Sequence, residues 1–131
     1  GLAVMSHPTF RFDPEGMTML KRYSALSKRF PEVKWVFAHA GGAGIGRLHG
    51  AIEAAIELPN VYLETAMDQA ESGNFEYLVD KVGSKRILYG SDIPVFDPRH
   101  QIATIATSDI SDQAKRNILG LNATRLLDLK L

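Results

Sequence analysis

The chain has 131 residues, of which 45% are hydrophobic and 23% are charged, the composition of an ordinary globular protein. Fifteen basic residues balance fifteen acidic ones, so there is no positive surplus to bind a nucleic acid or an anionic membrane surface. The chain has no cysteine, which excludes disulfides and thiolate chemistry and leaves His, Asp and Glu as the ligands for a tightly held metal.

No apolar run approaches the ~20 residues that span a bilayer. The first residues, Gly1 to Met5, contain no charged segment and no cleavage-like site of a signal peptide. The sequence therefore predicts a cytoplasmic location.

Four short apolar runs predict strands, and each is followed by a helical pattern. Their length and their β-branched or aromatic content are typical of parallel strands buried on both faces. The strands are predicted at Leu2 to Ser6, Val33 to Ala38, Val61 to Leu63 and Ile87 to Tyr89.

Helical spacing is visible in three apolar stripes. The stripes comprise Met17, Leu20, Tyr23, Ala25, Leu26 and Phe30; Leu48, Ile52, Ala55 and Ile56; and Phe75, Leu78, Val79 and Val82. After the fourth strand, Asp97 and Pro98 predict the N-cap and first turn of a helix over Arg99 to Thr107. Ser111 is predicted to cap a helix that runs to about Leu119, and Asn122 to Leu127 a closing helical turn.

The predicted order alternates strand and helix four times within a single domain over residues 1–131. Strict alternation predicts an α/β fold with parallel strands and right-handed crossovers. Two architectures fit this order: an open doubly wound sheet, or four units of a (β/α)8 barrel. A whole barrel has about 250 residues, so the chain would form half of one.

Polar residues follow the strands where each strand ends. His7, His39 and Asp92 follow the first, second and fourth strands, and Glu64 with Thr65 follows the third. Both parallel architectures bind ligands at the carboxyl ends of their strands. Any one of these residues alone could be structural, the histidines as hydrogen-bonded core or loop residues and the aspartate as a turn former. The repeated position of His7, His39 and Asp92 favours a shared functional site.

The other candidates are weaker. A glycine cluster at 41–46 lies between a strand and a helix, but it lacks the spacing of a nucleotide-binding loop. It is interpreted as a flexible loop beside His39, with Arg47 as an anchor for a substrate carboxylate. His49 and His100 lie within helical patterns and are predicted to be surface residues.

Four segments carry a resemblance to a known family. Residues 30–42, 59–65, 86–94 and 118–127 resemble strands six, seven and eight and the closing helix of the amidohydrolase-2 family of TIM-barrel metal-dependent hydrolases. The resemblance covers nearly the whole chain. It implies the C-terminal half of a (β/α)8 TIM barrel, strands five to eight.

The resemblance also implies roles for individual residues. His7 and His39 would bind a divalent metal, with His39 alternatively polarising the substrate, and Asp92 would ligate the metal and act as general base. Zinc suits this set of imidazoles and carboxylate, with manganese as an alternative. The implied reaction is hydrolysis of a C–O or C–N bond in a small carbonyl substrate by metal-activated water.

One departure from the family leaves alternatives open. The family's His-x-His pair of strand one is absent, and a half barrel would expose strand edges and an apolar inner face. The expected partner is therefore the missing N-terminal half of the barrel, with this chain a fragment, or a second copy in a homo-oligomer. Two other functions fit: a metal-dependent decarboxylase of aromatic acids, in which Arg47 and His39 hold and protonate the substrate, and an inert half-barrel association module.

Overall fold

The fold is an α/β arrangement around one parallel sheet. The computed structural model describes residues 3–7, 17–41, 45–66 and 72–130, with the backbone alone at 17–19 and 45–47. Its strands are β1 (Ala3–Ser6), β2 (Lys34–Phe37), β3 (Val61–Glu64) and β4 (Ile87–Leu88). All four predicted strands are confirmed within one or two residues at their ends, apart from Leu2, which lies outside the described residues.

The strand order decides between the two predicted architectures. The sheet has the order β1-β2-β3-β4, and each pair of neighbours is parallel. A doubly wound sheet reverses its order at a switch point, whereas a barrel adds each strand beside the previous one. The described sheet contains no reversal. The prediction of four consecutive barrel units is therefore confirmed.

Most of the described helices cover one face of the sheet. The helices are α1 (Met17–Arg29), α2 (Ile45–Glu57), α3 (Asn74–Val82), α4 (Pro98–Thr107), α5 (Asp112–Arg116) and α6 (Asn122–Leu126). Both predicted caps are confirmed, because Asp97 accepts a hydrogen bond from the Arg99 N–H at 2.9 Å and Ser111 accepts one from the Ala114 N–H at 3.2 Å. None of the described helices is long and apolar enough to cross a membrane.

The main core lies between the sheet and these helices. Alternate strand residues such as Phe37, Leu63 and Ile87 are fully buried there. The helices contribute apolar side chains that include Leu20, Leu48, Ile52, Phe75, Leu78, Ile105 and Ile118. At about 25 cal/mol per Å² of buried apolar surface, this contact is the main stabilising term of the fold.

Part of the opposite sheet face is also covered. Val36 and Leu88 are buried against Leu126 and Ala123 of α6. Met5, which lies opposite Val36 in the register, is 63% exposed. The apolar inner face predicted for a half barrel is therefore exposed at Met5 of β1. At Val36 of β2 and Leu88 of β4 it is covered by α6.

Two details differ from the sequence prediction. The last helix does not end near residue 119, because a π-helical segment (Asn117–Leu121) joins α5 to α6 with helical backbone angles throughout. Leu26, Phe30 and Ile56, which belong to the predicted apolar stripes, are 37%, 38% and 58% exposed. Leu26 and Ile56 lie on exposed helix surfaces, and Phe30 directly follows the end of α1.

Side-chain amides fasten the helices to the amino-terminal end of the sheet. The Asn60 amide donates to the carbonyl oxygens of Ser27 and Val33 at 3.0 and 2.9 Å. The Asn122 amide donates to the carbonyl oxygens of Ser84 and Ile87, both at 2.6 Å. These side chains satisfy carbonyl groups where strands begin and helices end.

Replacing Asn122 with Ala is expected to lower the free energy of unfolding by about 2 kcal/mol, because it removes the amide donors from two backbone carbonyl groups. Urea denaturation measures the change. Arg116→Ala, at an exposed position on the same helical run, is the control and should change stability by less than about 0.5 kcal/mol. An equal effect of the two substitutions would contradict the fastening role of Asn122.

Candidate active site

A pocket of about 380 Å³ opens at the carboxyl ends of the four strands. Every strand supplies part of its lining: Met5 and His7 from β1, Ala38 and His39 from β2, Glu64 and Ala66 from β3, and Tyr89, Gly90, Ser91, Asp92 and Ile93 from β4. The structure thus brings His7, His39 and Asp92 to one cavity. This is the end of a parallel barrel where active sites are built.

His7 and His39 are in direct contact. Their ring centroids are 4.7 Å apart and their planes cross at 81°, so one ring meets the other edge-on. His7 is exposed at the pocket, whereas His39 is buried. Two imidazoles from adjacent strands therefore share one wall of the pocket.

The His39 ring has a defined orientation. Its Nδ1 lies 3.1 Å from the carbonyl oxygen of Ala66. Because a carbonyl oxygen only accepts hydrogen bonds, the neutral ring carries its proton on Nδ1 and its lone pair on Nε2. This tautomer leaves Nε2 as the nitrogen suited to hold a metal or to accept a proton.

Unusual backbone conformations gather at the pocket. His39, Ala40 and Asp92 have φ values of 55°, 46° and 56°, in the left-handed region, and Asp128 is the other described non-glycine residue with positive φ. For residues other than glycine this conformation costs about 1–2 kcal/mol. Such residues cluster at functional sites, where the surrounding structure enforces them. Their position at the two strand ends supports a functional role for this pocket.

Glu64 is a pocket residue that sequence reasoning did not select as a site residue. Its carboxylate is buried and accepts hydrogen bonds from the N–H of His39 at 3.2 Å and the N–H of Ala66 at 2.6 Å. The pKa of Glu64 lies above its ordinary value, mainly because the carboxyl group is buried and in part because Asp92 is nearby. The two hydrogen bonds partly offset this rise. The available signal was its place at the end of β3, equivalent to that of the other candidates.

The remaining candidates divide into two groups. His49 and His100 are exposed on α2 and α4, as predicted. Arg47 lies in the first turn of α2, but its side chain and the loop at 42–44 lie outside the described residues. The role of Arg47 in substrate binding stays a prediction.

The donor chemistry of the pocket suits a divalent metal, but the described side chains do not complete a site. Imidazole nitrogens and carboxylate oxygens are ligands for zinc and manganese. Within residues 3–7, 17–41, 45–66 and 72–130, however, no three His, Asp or Glu side chains are placed so that they could hold one ion together. The pocket therefore has donors of the right type and fewer converging donors than a closed site needs.

The amidohydrolase-2 family model, described as Amidohydrolase, matches residues 1–129. The chain belongs to this family. No curated protein matches the chain.

Solved structures support the same fold. An uncharacterised TIM-barrel protein from Bordetella bronchiseptica matches 96% of this chain with 21% identity and a TM-score of 0.78. An amidohydrolase from Burkholderia multivorans with bound zinc matches 86% with 20% identity and a TM-score of 0.66. A dihydroxybenzoic acid decarboxylase from Polaromonas with bound manganese matches 92% with 20% identity and a TM-score of 0.67. The matched regions cover 45%, 50% and 42% of those chains, so this amidohydrolase-family chain spans half or less of their length.

The left-handed backbone of Asp92 makes a testable difference to stability. Asp92→Gly is expected to be more stable than Asp92→Ala by about 1 kcal/mol, because glycine adopts positive φ without the steric cost of a Cβ. Urea denaturation of the two variants measures the difference.

Arg116 provides the matched control, because it is helical with φ −61°. There the order should be reversed, with Ala more stable than Gly by about 1 kcal/mol. Finding Ala favoured at both positions would show that Asp92 is not held in the left-handed region.

Proposed function

We propose that this chain supplies the C-terminal part of the active site of a metal-dependent hydrolase, which cleaves a C–O or C–N bond in a small carbonyl compound. The observation that carries the proposal is the pocket at the strand ends, which His7, His39 and Asp92 all line in a chain of the amidohydrolase family. The zinc bound by the Burkholderia amidohydrolase supports a metal in this role, with zinc first and manganese second.

His7, His39 and Asp92 are the proposed metal ligands of this chain. A bound divalent metal supplies Lewis acidity, which acidifies water and polarises a carbonyl group. Within the described residues these three side chains are not placed to hold one ion together, so the proposed site also draws ligands from outside the chain. Their source is the N-terminal half of the barrel or a second copy of this chain.

Asp92 is the proposed general base. Its carboxylate is exposed at the pocket, where it can accept a proton from water attacking a carbonyl carbon and return that proton to the leaving oxygen or nitrogen. A positioned acid–base group of this kind contributes about 10²–10⁴-fold in rate. The Nε2 lone pair of His39 serves as a ligand or as a hydrogen-bond acceptor for substrate, and Arg47 is proposed to bind a substrate carboxylate.

Decarboxylation of an aromatic acid is the second candidate, favoured by the structural match to the Polaromonas decarboxylase. In this reaction the C–C bond to the carboxylate breaks, CO2 leaves, and the ring carbon takes a proton. His39, once protonated, would deliver that proton, while Arg47 would hold the substrate. The two reactions use the same pocket and differ in their products.

An activity screen of the zinc- and manganese-loaded assembly, in which this chain is combined with the N-terminal half of the barrel or a second copy, distinguishes the two candidates. Hydrolysis of lactones, esters or amides supports the first proposal, and CO2 release from hydroxybenzoic acids supports the second. A stable oligomer that is inactive in both assays and binds no metal would overturn both in favour of an inert association module.

Asp92→Asn is expected to reduce kcat by at least about 100-fold, because the amide cannot accept the proton. Circular dichroism should show an unchanged fold. Asp112→Asn, an exposed carboxylate on α5, is the matched control and should keep full activity. Undiminished turnover in Asp92→Asn would remove Asp92 from the mechanism.

His7→Ala is expected to lower the zinc bound per chain, because it deletes one proposed ligand. Elemental analysis after dialysis measures the metal. His49→Ala, at an exposed position of α2, is the control. Equal metal content in both variants would show that His7 is structural.

A further inference from the structure

The Glu64 carboxylate binds the backbone of His39 and of Ala66, the two residues whose contact orients the His39 ring. Glu64 Oε2 accepts from the His39 backbone N–H, and Glu64 Oε1 accepts from the Ala66 backbone N–H. The His39 ring Nδ1 in turn meets the Ala66 carbonyl oxygen. The three contacts close a loop in which Glu64 holds the backbone of both residues and the ring joins them.

The chemistry of a carboxylate suits this loop. Both of its oxygens are acceptors, so it satisfies two N–H donors at once. An amide in the same place would offer one oxygen and one N–H group, and the N–H group would face a backbone donor. A buried carboxylate is costly unless such bonds hold it, and here both oxygens are bonded to the residues that fix the His39 ring.

Gly90 provides the space for this carboxylate. A Cβ atom at Gly90 would lie 1.5 Å from Glu64 Oε1 and 2.4 Å from Glu64 Cδ, far inside van der Waals contact. Any side chain at position 90 would therefore push the carboxylate off its two N–H donors. The end of β4 is thus shaped to admit the carboxylate from β3.

We infer that Glu64 is a positioning residue, which holds the left-handed turn at His39 and Ala40 and thereby the direction and tautomer of the His39 imidazole, and that Gly90 is required to seat it. The inference links three adjacent strand ends, β2, β3 and β4, through one side chain. It concerns the placement of His39, so it can hold or fail whichever reaction the pocket performs.

The His39 ring itself provides the test. In the full chain labelled with ¹⁵N-histidine, at mildly alkaline pH, the wild-type His39 should show separate signals for a protonated Nδ1 and an unprotonated Nε2. Glu64→Gln should lose this separation, as the ring exchanges between tautomers. The exposed His49 and His100 are internal controls whose signals should not change.

Gly90→Ala tests the same placement without altering the chemistry of Glu64. It should shift the His39 ring signals in the same direction as Glu64→Gln. Gly120→Ala is the matched control, because a Cβ there meets nothing within 4 Å, and it should leave the ring signals unchanged.

A double variant separates positioning from general destabilisation. Glu64→Asp shortens the side chain by one methylene, so Gly90→Ala should have little further effect on the ring in that background, a non-additivity expected of groups in contact. This comparison also replaces Glu64→Gln if that variant does not fold.

Two outcomes would overturn the inference. One is an unchanged His39 tautomer in Glu64→Gln and Gly90→Ala, even if both variants are less stable to urea, since Glu64 would then be merely structural. The other is strict additivity of Glu64→Asp and Gly90→Ala. Neither outcome is read from turnover or metal content, so failure here is distinguishable from failure of the proposed function.

Discussion

The parallel, in-order pairing of four strands is the constraint on which the rest of the structure depends. Because β2, β3 and β4 run in the same direction and in register, their carboxyl ends meet at one edge. Any polar residue just beyond a strand is thereby brought to that edge. Residues far apart in sequence, such as His7 and Asp92, share one pocket for this reason.

The two ends of the sheet carry different kinds of polar groups. At the amino-terminal end, amides such as Asn60 and Asn122 bind backbone carbonyl groups and fasten helices to strands. At the carboxyl end, backbone strain, a buried carboxylate and two imidazoles are concentrated around an open pocket. The stabilising amides and the candidate site therefore lie at opposite ends of the same strands, as is usual in a barrel.

Much of the fold could be predicted from the sequence, because it depends on local patterns. Short apolar runs indicated the strands, and side-chain caps such as Asp97 and Ser111 indicated where helices begin. The joining of α5 to α6 was not predictable, since Asn122 is a residue that usually ends helices or forms turns. Its amide instead donates hydrogen bonds to the carbonyl oxygens of Ser84 and Ile87, which are distant in sequence.

The candidate site was predictable in part for the same reason. His7, His39 and Asp92 were visible because they end strands, and the family resemblance implied their roles. The role of Glu64 was not visible, because it depends on backbone N–H groups of two other positions and on the missing side chain of Gly90. The left-handed turn at His39 and Ala40 has no local signal either, since both residues ordinarily avoid positive φ.

The central claim is that this pocket holds a divalent metal. Diffraction from crystals of the chain grown with zinc, measured on both sides of the zinc absorption edge, tests it most directly. The proposed metal site predicts an anomalous peak in the pocket, within about 2.0–2.2 Å of an imidazole nitrogen of His39 or His7 and of a carboxylate oxygen of Asp92. A pocket without anomalous density, with zinc found only at surface residues such as His49 or His100, would contradict it.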